Sequence, residues 1–203
     1  MIGTNNLPYT QLKYMSRVNR ILDFWFKPDE SYGKPPLLWF AKNPKFDDAL
    51  RTRFQTDYEL AAAGKLNDWQ TSPQSCLALI LLLDQFPRNF FRDQPQAFAT
   101  DAQALAVAKH AVINGFDLQL PYMQRWFVYL PFEHSENLND QRRSVELFQQ
   151  LSEDPASAQP IAFAIRHLEI IKRFGRFPHR NPILGRITTP EEAEFLKEPD
   201  SSF

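Results

Sequence analysis

Cysteine and glycine are scarce in this sequence of 203 residues, and their scarcity excludes several kinds of site. Cys76 is the only cysteine, so the sequence offers no intrachain disulfide and no CxxC pair for structural zinc. Because Cys76 lies in an apolar run, we expect an inert core thiol rather than a nucleophile. Only six glycines occur, and the GxxxxGK, GxGxxG and GxSxG motifs of phosphate loops, dinucleotide sites and serine hydrolases are absent.

A strong net charge and long apolar runs are also missing. The net charge of −1 gives no field that would draw the protein to nucleic acid or to acidic membranes. The apolar run at 76–83 is far shorter than the roughly 20 residues that span a bilayer. Residues 1–10 lack the apolar centre of a signal peptide. We therefore expect a cytoplasmic protein without nucleic-acid or membrane partners, and the sequence indicates no cofactor.

Helical signals fill most of the chain, whereas the period-two alternation of strands is not sustained anywhere. Proline and glycine mark most helix boundaries, Pro131 is predicted to halt the fifth helix, and Asn139 is predicted to cap the sixth. A loop is predicted at 28–44. The pattern predicts about eight helices, at 17–26, 47–63, 74–86, 101–114, 121–129, 139–151, 160–174 and 189–196.

The length suits a single all-α domain over 1–203, with a helical core at about 17–196. A short N-terminal arm precedes this core, and an acidic tail ends it. The third helix is apolar on nearly all sides, so we expect it at the centre of the molecule. The short links between helices predict antiparallel helix pairs in a solenoid-like stack.

The first polar motif is DQFPRN at 84–89, which we place at the end of the third helix. Helical spacing puts Asp84 on an apolar face, where a carboxylate is costly unless it is paired or hydrogen-bonded. Asp84 is therefore either half of a buried ion pair or helix cap, or a general base or substrate anchor. Arg88 and Asn89 complete the motif as candidate ligand-binding residues.

The second motif is PFEHSE at 131–136, which we place in the loop between the fifth and sixth helices. Glu133 and Glu136 flank His134, so an imidazole and a carboxylate could share one site. The HExxH spacing and the PCxxC partner of zinc deaminases are absent, so no metal site is predicted. The alternative is a set of loop acids that neutralise nearby arginines.

The third motif is RFGRFPHRN at 173–181, with Arg186 beyond it. Arg176, His179 and Arg180 lie in an irregular Gly/Pro segment, so they are not simply the solvated face of a helix. Arginine suits bidentate capture of a carboxylate or phosphate. The alternative is pairing with Asp84, Glu133 and Glu136, and the two interpretations are compatible. His167, on the preceding helix, is expected to be a satisfied core histidine.

Four strings make the chain recognisable: ILDFWF at 21–26, LDQFPRN at 83–89, YLPFEHSE at 129–136 and RFGRFPHRN at 173–181. In these strings the sequence resembles the bacterial domain of unknown function 924 family, over about 17–196. The resemblance implies a TPR-like right-handed superhelical stack of helix pairs and transfers no activity and no catalytic residue. His134 stands where we expect Met in many relatives, which favours His134 and Glu136 over Glu133 as functional residues.

The three motifs follow alternate helices, so in an antiparallel stack they should emerge on one rim and form one site. We predict a pocket for a small anionic ligand that carries phosphate or carboxylate. The alternative is a TPR-like interaction module that binds a peptide in its concave face and whose polar cluster is structural. The candidates for proton transfer are Asp84, His134, Glu136 and His179, and those for ligand binding are Arg88, Asn89, Arg176, Arg180 and Asn181.

Overall fold

The structure, a computed structural model, describes residues 9–27, 39, 42–199 and 201–202. These residues form helices and no strand, which confirms the predicted all-α class. None of these helices is both long and apolar enough to cross a membrane. The α-helices are α1 (Tyr9–Phe26), α2 (Pro44–Ala62), α3 (Pro73–Ile80), α4 (Phe86–Phe90), α5 (Asp101–Ile113), α6 (Tyr122–Glu133), α7 (Leu138–Gln149), α8 (Ala158–Phe174) and α9 (Pro190–Phe195).

A π-helical turn, Leu81–Gln85, joins α3 to α4 in one continuous rod, called the central helix below. Most of the central helix is buried, as its apolar sequence predicts. The prediction that it ends at Phe86 is wrong, because the rod continues through Pro87. Pro87 has no N–H for the carbonyl of Leu83, four residues earlier. The hydroxyl of Thr100 donates to that carbonyl instead, at 2.5 Å, which keeps the acceptor satisfied.

Several predicted helix starts are confirmed by their capping contacts. The side chain of Ser72 accepts a hydrogen bond from the backbone of Ser75 at the start of α3. Thr189 and Glu192 form a capping box at the start of α9. The first helix is longer than predicted and begins at Tyr9. The predicted loop at 28–44 lies mostly outside the described residues.

Two boundaries around the second motif are wrong. Pro131 does not halt α6, which runs on to Glu133. Proline removes only the bond that its own N–H would donate to the carbonyl of Phe127, and the N–H of His134 still donates to the carbonyl of Leu130 at 2.8 Å. The cap of α7 is Asn137, whose side chain accepts from the N–H of Asn139. Asn139 therefore belongs to the helix. Glu133 is consequently a helical residue, and only the second half of the motif lies in a loop.

The buried residues form one large aromatic-rich cluster and a second, smaller one. Trp25 lies in the large cluster, with ring centroids 5.4 Å from Phe86 and 5.7 Å from Phe127. The small cluster, which includes Ile171 and Phe195, holds α9 against α8. Consecutive helices from α5 to α8 pack against one another. The right-handed superhelical order and the single-domain extent stay predictions.

Candidate functional site

The site is built on an aspartate–histidine pair that joins the central helix to the end of α6. Asp84 lies in the π turn and is fully buried. Its Oδ1 is 2.7 Å from Nδ1 of His134, the C-cap residue of α6, and its Oδ2 accepts from the side-chain amide of Gln85 at 2.6 Å. π turns inside α-helices frequently occur at functional sites, since the added residue re-aims a side chain.

The protonation states of this pair follow from its surroundings. Burial acts to raise the pKa of Asp84, but Arg88 and His134 together lower it well below the usual range, so the carboxyl group is ionised. Burial and Arg88 lower the pKa of His134, so its imidazole is neutral near pH 7. Because ionised Asp84 can only accept, Nδ1 of His134 is the donor and Nε2 carries the lone pair. The side chain of His134 is 14% exposed.

Arg88 lies one turn beyond Asp84 and is held by two carboxylates. Its Nη1 is 3.3 Å from Oδ1 of Asp84, and both its terminal nitrogens donate to Asp101, at 2.9 and 3.1 Å. Asp101 is the first residue of α5, so this bidentate pair fixes the start of α5 against the central helix. The fork of Arg88 is thus already occupied by an internal carboxylate.

Arg180 enters the same site from the segment that follows α8. Its guanidinium lies between two aromatic rings, 4.7 Å from the centroid of Phe98 and 4.5 Å from that of Phe177. Nη1 donates to the carbonyl of His134 at 3.1 Å and is 3.7 Å from Asp101. The Nε of Arg180 is buried and has no hydrogen-bond partner among the described residues. Burial and Arg88 lower the pKa of Arg180 to about 10, which leaves it charged.

His179 and Glu136 also reach this region. Burial, with Arg180 nearby, lowers the pKa of His179 to about 4, so it is neutral. Glu136 accepts two hydrogen bonds from Arg186, at 2.8 and 2.9 Å, and one from the N–H of Phe177, at 2.9 Å. Although burial acts to raise the pKa of Glu136, these hydrogen bonds lower it. Glu136 therefore fixes the third motif in place and has little capacity left to act as a base.

A second acid–histidine pair lies beside the first. Oε1 of Glu133 is 3.2 Å from Nδ1 of His167, and that nitrogen also bonds to the carbonyl of Phe163 at 2.8 Å. Burial, assisted by Asp84, raises the pKa of Glu133 to about 8, and burial lowers the pKa of His167 to about 3. Both groups are therefore neutral near pH 7. Buried His167 is in line with the core role predicted from the sequence.

Three of the predicted ligand-binding residues lie outside the cluster around His134. Arg176 donates to both oxygens of Glu192, at 2.6 and 2.8 Å, and Asn181 donates to the same carboxylate at 3.2 Å. These contacts tie the third motif to α9. Asn89 accepts from Arg92 at 2.9 Å, in a network with Asp47 at the start of α2. The structure therefore groups Asp84, Arg88, His134, Glu136, His179 and Arg180, and it separates Asn89, Arg176 and Asn181 from them.

Sequence reasoning missed Asp101 and Phe98, which both contact the two arginines of the site. Asp101 looks like an ordinary acid in the first turn of a helix, so no local signal reveals its partners. Sequence reasoning also missed Gln141. The side-chain amide of Gln141 donates to the carbonyls of Glu133 and Ser135 at the end of α6, at 2.5 and 2.6 Å. Neither Asp101 nor Gln141 belongs to one of the three motifs.

Two further features lie apart from the cluster. An open groove of about 290 Å³ runs between α8 and α9, lined by Arg173, Phe174, Phe195 and their neighbours, and includes none of the clustered residues. Cys76 is buried, and burial raises the pKa of its thiol to about 11, as expected for an inert core cysteine. Among the described residues, no group of three or more His, Cys, Asp or Glu side chains could hold a metal ion.

Comparison with known proteins gives the chain a family. A solved structure of a protein of unknown function from Agrobacterium tumefaciens is similar to it, with 40% sequence identity and a TM-score of 0.82. The match covers 90% of this chain and 98% of that one. No curated protein matches the chain. The sequence profile described as bacterial protein of unknown function (DUF924) matches residues 21–200, and the chain therefore belongs to this family.

Proposed function

We propose that this protein binds a small anionic ligand, carrying a phosphate or carboxylate group, and transfers a proton to or from it. The observation that carries the proposal is the pair of Asp84 and His134. A buried carboxylate that accepts from Nδ1 fixes the tautomer of an imidazole and leaves Nε2 free to take or give a proton. Among the described residues no hydrogen bond to Nε2 of His134 is formed, and the side chain is 14% exposed, so a ligand can reach this nitrogen.

The proton transfer uses only these two side chains. As a base, Nε2 of His134 takes a proton from the ligand and the ring becomes an imidazolium. The ionised carboxylate of Asp84, 2.7 Å from Nδ1, stabilises the positive charge. The same imidazolium returns the proton from Nε2 in the reverse direction. The lowered pKa of His134 keeps the ring in its basic form before the ligand binds.

Arg180 is the residue best suited to hold the anion. Its charge is paired with Asp101 at 3.7 Å, a longer and weaker contact than the bidentate pairs elsewhere in the cluster. The two flanking rings hold the guanidinium in one orientation, which reduces the entropy lost when a ligand binds. Its carbonyl contact with His134 places the anion-holding group next to the proton-transferring one.

A second candidate function is that of a helical interaction module with a structural polar cluster. The specific observation in its favour is that Arg176 and Arg186 each have a complete carboxylate partner, in Glu192 and Glu136. Such pairs lock helix ends together and occupy two nitrogens of each guanidinium, which a bidentate ligand would otherwise use. On this reading a peptide would bind elsewhere, and the open groove between α8 and α9 would be its place.

The test compares Arg180→Ala and His134→Gln with Arg92→Ala as a matched control. Like Arg180, Arg92 is an arginine paired with a first-turn aspartate, Asp47, but it lies outside the site. Inorganic phosphate and citrate are titrated into each protein by calorimetry at constant ionic strength. The proposal expects binding to the original protein and to the Arg92 variant, at least tenfold weaker binding to the Arg180 variant, and retained but pH-insensitive binding to the His134 variant.

The opposite result favours the interaction module. If neither anion binds the original protein, or if the Arg180 variant binds as well as the original, the anion site is wrong. A large fall in melting temperature for both site variants, without any anion effect, would assign the cluster a structural role.

A further inference from the structure

Asp101 occupies the position in this site that an anionic ligand would take. Its two oxygens accept from both terminal nitrogens of Arg88, at 2.9 and 3.1 Å, and one of them is 3.7 Å from Arg180. Carboxylate and phosphate groups bind arginine in this bidentate manner. Asp101 is therefore an internal anion in contact with both arginines that flank His134.

Asp101 can leave this position more easily than the other acid of the cluster. Its side chain is 22% exposed, whereas that of Asp84 is fully buried. It lies in the first turn of α5, where the unpaired N–H groups and the helix dipole stabilise a negative charge. A carboxylate released from the arginines at this place stays favourably solvated.

Arg88 and Arg180 do not depend equally on Asp101. Arg88 keeps Asp84 as a second acid partner, at 3.3 Å, when Asp101 moves away. Arg180 has no other carboxylate within ion-pair distance among the described residues, and its buried Nε lacks a hydrogen-bond partner there. A ligand that displaces Asp101 must therefore compensate a buried cation as well as replace a bidentate acceptor.

We infer that Asp101 is the specificity-determining residue of the anion site and that the site accepts a doubly charged group such as a phosphate monoester. This inference rests on the proposed function. When a monocarboxylate binds, it replaces the carboxylate of Asp101 with another of equal charge and geometry. The free energy of binding is therefore close to zero. A dianion brings one more negative charge and further acceptor oxygens next to Arg180 than the Asp101 carboxylate does. It therefore binds the two arginines more strongly than Asp101 and can displace it.

The experiment measures the affinities of sulfate, inorganic phosphate and acetate by calorimetry, at pH 7.5 and constant ionic strength. The proteins are the original chain, Asp101→Asn, Asp101→Ser, Arg180→Ala and Asp47→Asn. Serine suits the first turn of a helix, so the second variant keeps the test valid if asparagine disturbs folding. Asp47→Asn is the matched control, because Asp47 is also a first-turn acid in a bidentate pair, with Arg92.

We expect sulfate and phosphate, but not acetate, to bind the original protein and the Asp47 variant. Both Asp101 variants should bind sulfate on the order of tenfold more tightly and should bind acetate measurably. The inference is overturned if acetate binds the original protein as well as sulfate does, or if both Asp101 variants keep the original affinities. In either case, weakened binding by the Arg180 variant would leave the proposed function standing. If none of the proteins binds any of the three anions, both this inference and the proposed function are overturned.

Discussion

Asp84 is a fully buried carboxylate, and the residues around it offset the cost of removing its charge from water. His134, Gln85 and Arg88 each place a donor within 3.3 Å of its oxygens. The same contacts decide which nitrogen of His134 carries the proton. One buried side chain thus fixes both a local charge and the basicity of its neighbour.

Replacement of Asp84 by Asn should lower the pKa of His134 further. Burial and Arg88 lower this pKa, whereas the carboxylate of Asp84 raises it. Without that carboxylate, burial and Arg88 lower the pKa of His134 further. Nitrogen-15 NMR titration of the histidine rings measures the pKa and the tautomer directly. A cationic His134 at pH 7 in the original protein would contradict this account.

Replacement of Glu133 by Gln should make the free energy of unfolding less dependent on pH between 7 and 8. The unfolded chain releases the Glu133 proton above its usual pKa of 4.5, while the folded protein holds it up to about pH 8. The free energy of unfolding of the original protein therefore falls as the pH rises from 4.5 to about 8, by at most about 1.4 kcal/mol per pH unit. Above pH 7 the opposite contribution of His167 is nearly complete, since the unfolded chain has released the His167 proton above its usual pKa of 6.5 and the folded protein above about pH 3.

Urea unfolding at several pH values between 7 and 8 measures this slope in both proteins. Glutamine has the shape of protonated glutamate, so the two proteins should have similar stabilities near pH 4, and the Gln variant should be the more stable of the two at pH 7. Equal slopes for both proteins would show that Glu133 is ionised in the folded state.

At the scale of single residues, the sequence indicated which side chains are unusual but not which of them meet. Asp84 and Arg180 stood out because charge is rare on an apolar helix face and arginines are rare in an irregular Gly/Pro segment. Arg176 stood out for the same reason, yet it pairs with Glu192 on α9. Partner choice depends on how helices far apart in the chain pack, and no local pattern contains that information.

At the scale of helices, boundaries set by caps were predictable and boundaries set by proline were not. Ser72 and Thr189 predict the starts of their helices, because a capping side chain bonds to the backbone of the next few residues. Pro87 is a helix breaker on local grounds, but a hydroxyl from Thr100 removes the penalty. The π turn has no reliable sequence signature, since it depends on the packing of its surroundings.

Replacement of Thr100 by Val should lower the free energy of unfolding by about 1–3 kcal/mol, since the carbonyl of Leu83 loses its donor. Valine has nearly the shape of threonine, so little packing changes. Thr100→Ser keeps the hydroxyl and should cost less than Thr100→Val. Chemical denaturation of the three proteins gives the comparison, and equal losses for both variants would assign the effect to packing.

Across the whole molecule, the all-α class followed from helical periodicity and frequent caps. The burial of the third predicted helix followed from its uniform apolarity, and the structure confirms it. The division into a large and a small cluster was not predictable. It arises because Phe177 and Phe195 belong to segments that pack on the second half of α8 instead of on the central helix.

The two clusters should therefore differ in how strongly they protect backbone amides from hydrogen exchange. The amides at 77–83 lie in the middle of the large cluster and should exchange only through global unfolding. The amides of α9 depend on the small cluster and on the ion pairs of Glu192, so they should open locally at a lower free energy. Mass spectrometry of exchanged peptides makes the comparison. Equal protection of both segments would mean that α9 unfolds with the whole.

The π turn has a consequence for spacing as well as for contacts. A π turn contains one residue more than the α-helical turn it replaces, so the central helix behaves as an α-helix with a single-residue insertion before Phe86. If the same residues wound as a regular α-helix, α4 and its Arg88 would be rotated by about 100° relative to α3. The π winding therefore sets the direction in which Arg88 leaves the central helix, and the site depends on it as much as on the side chains themselves. A change from π to α winding would turn Arg88 away from Asp101 without altering either side chain.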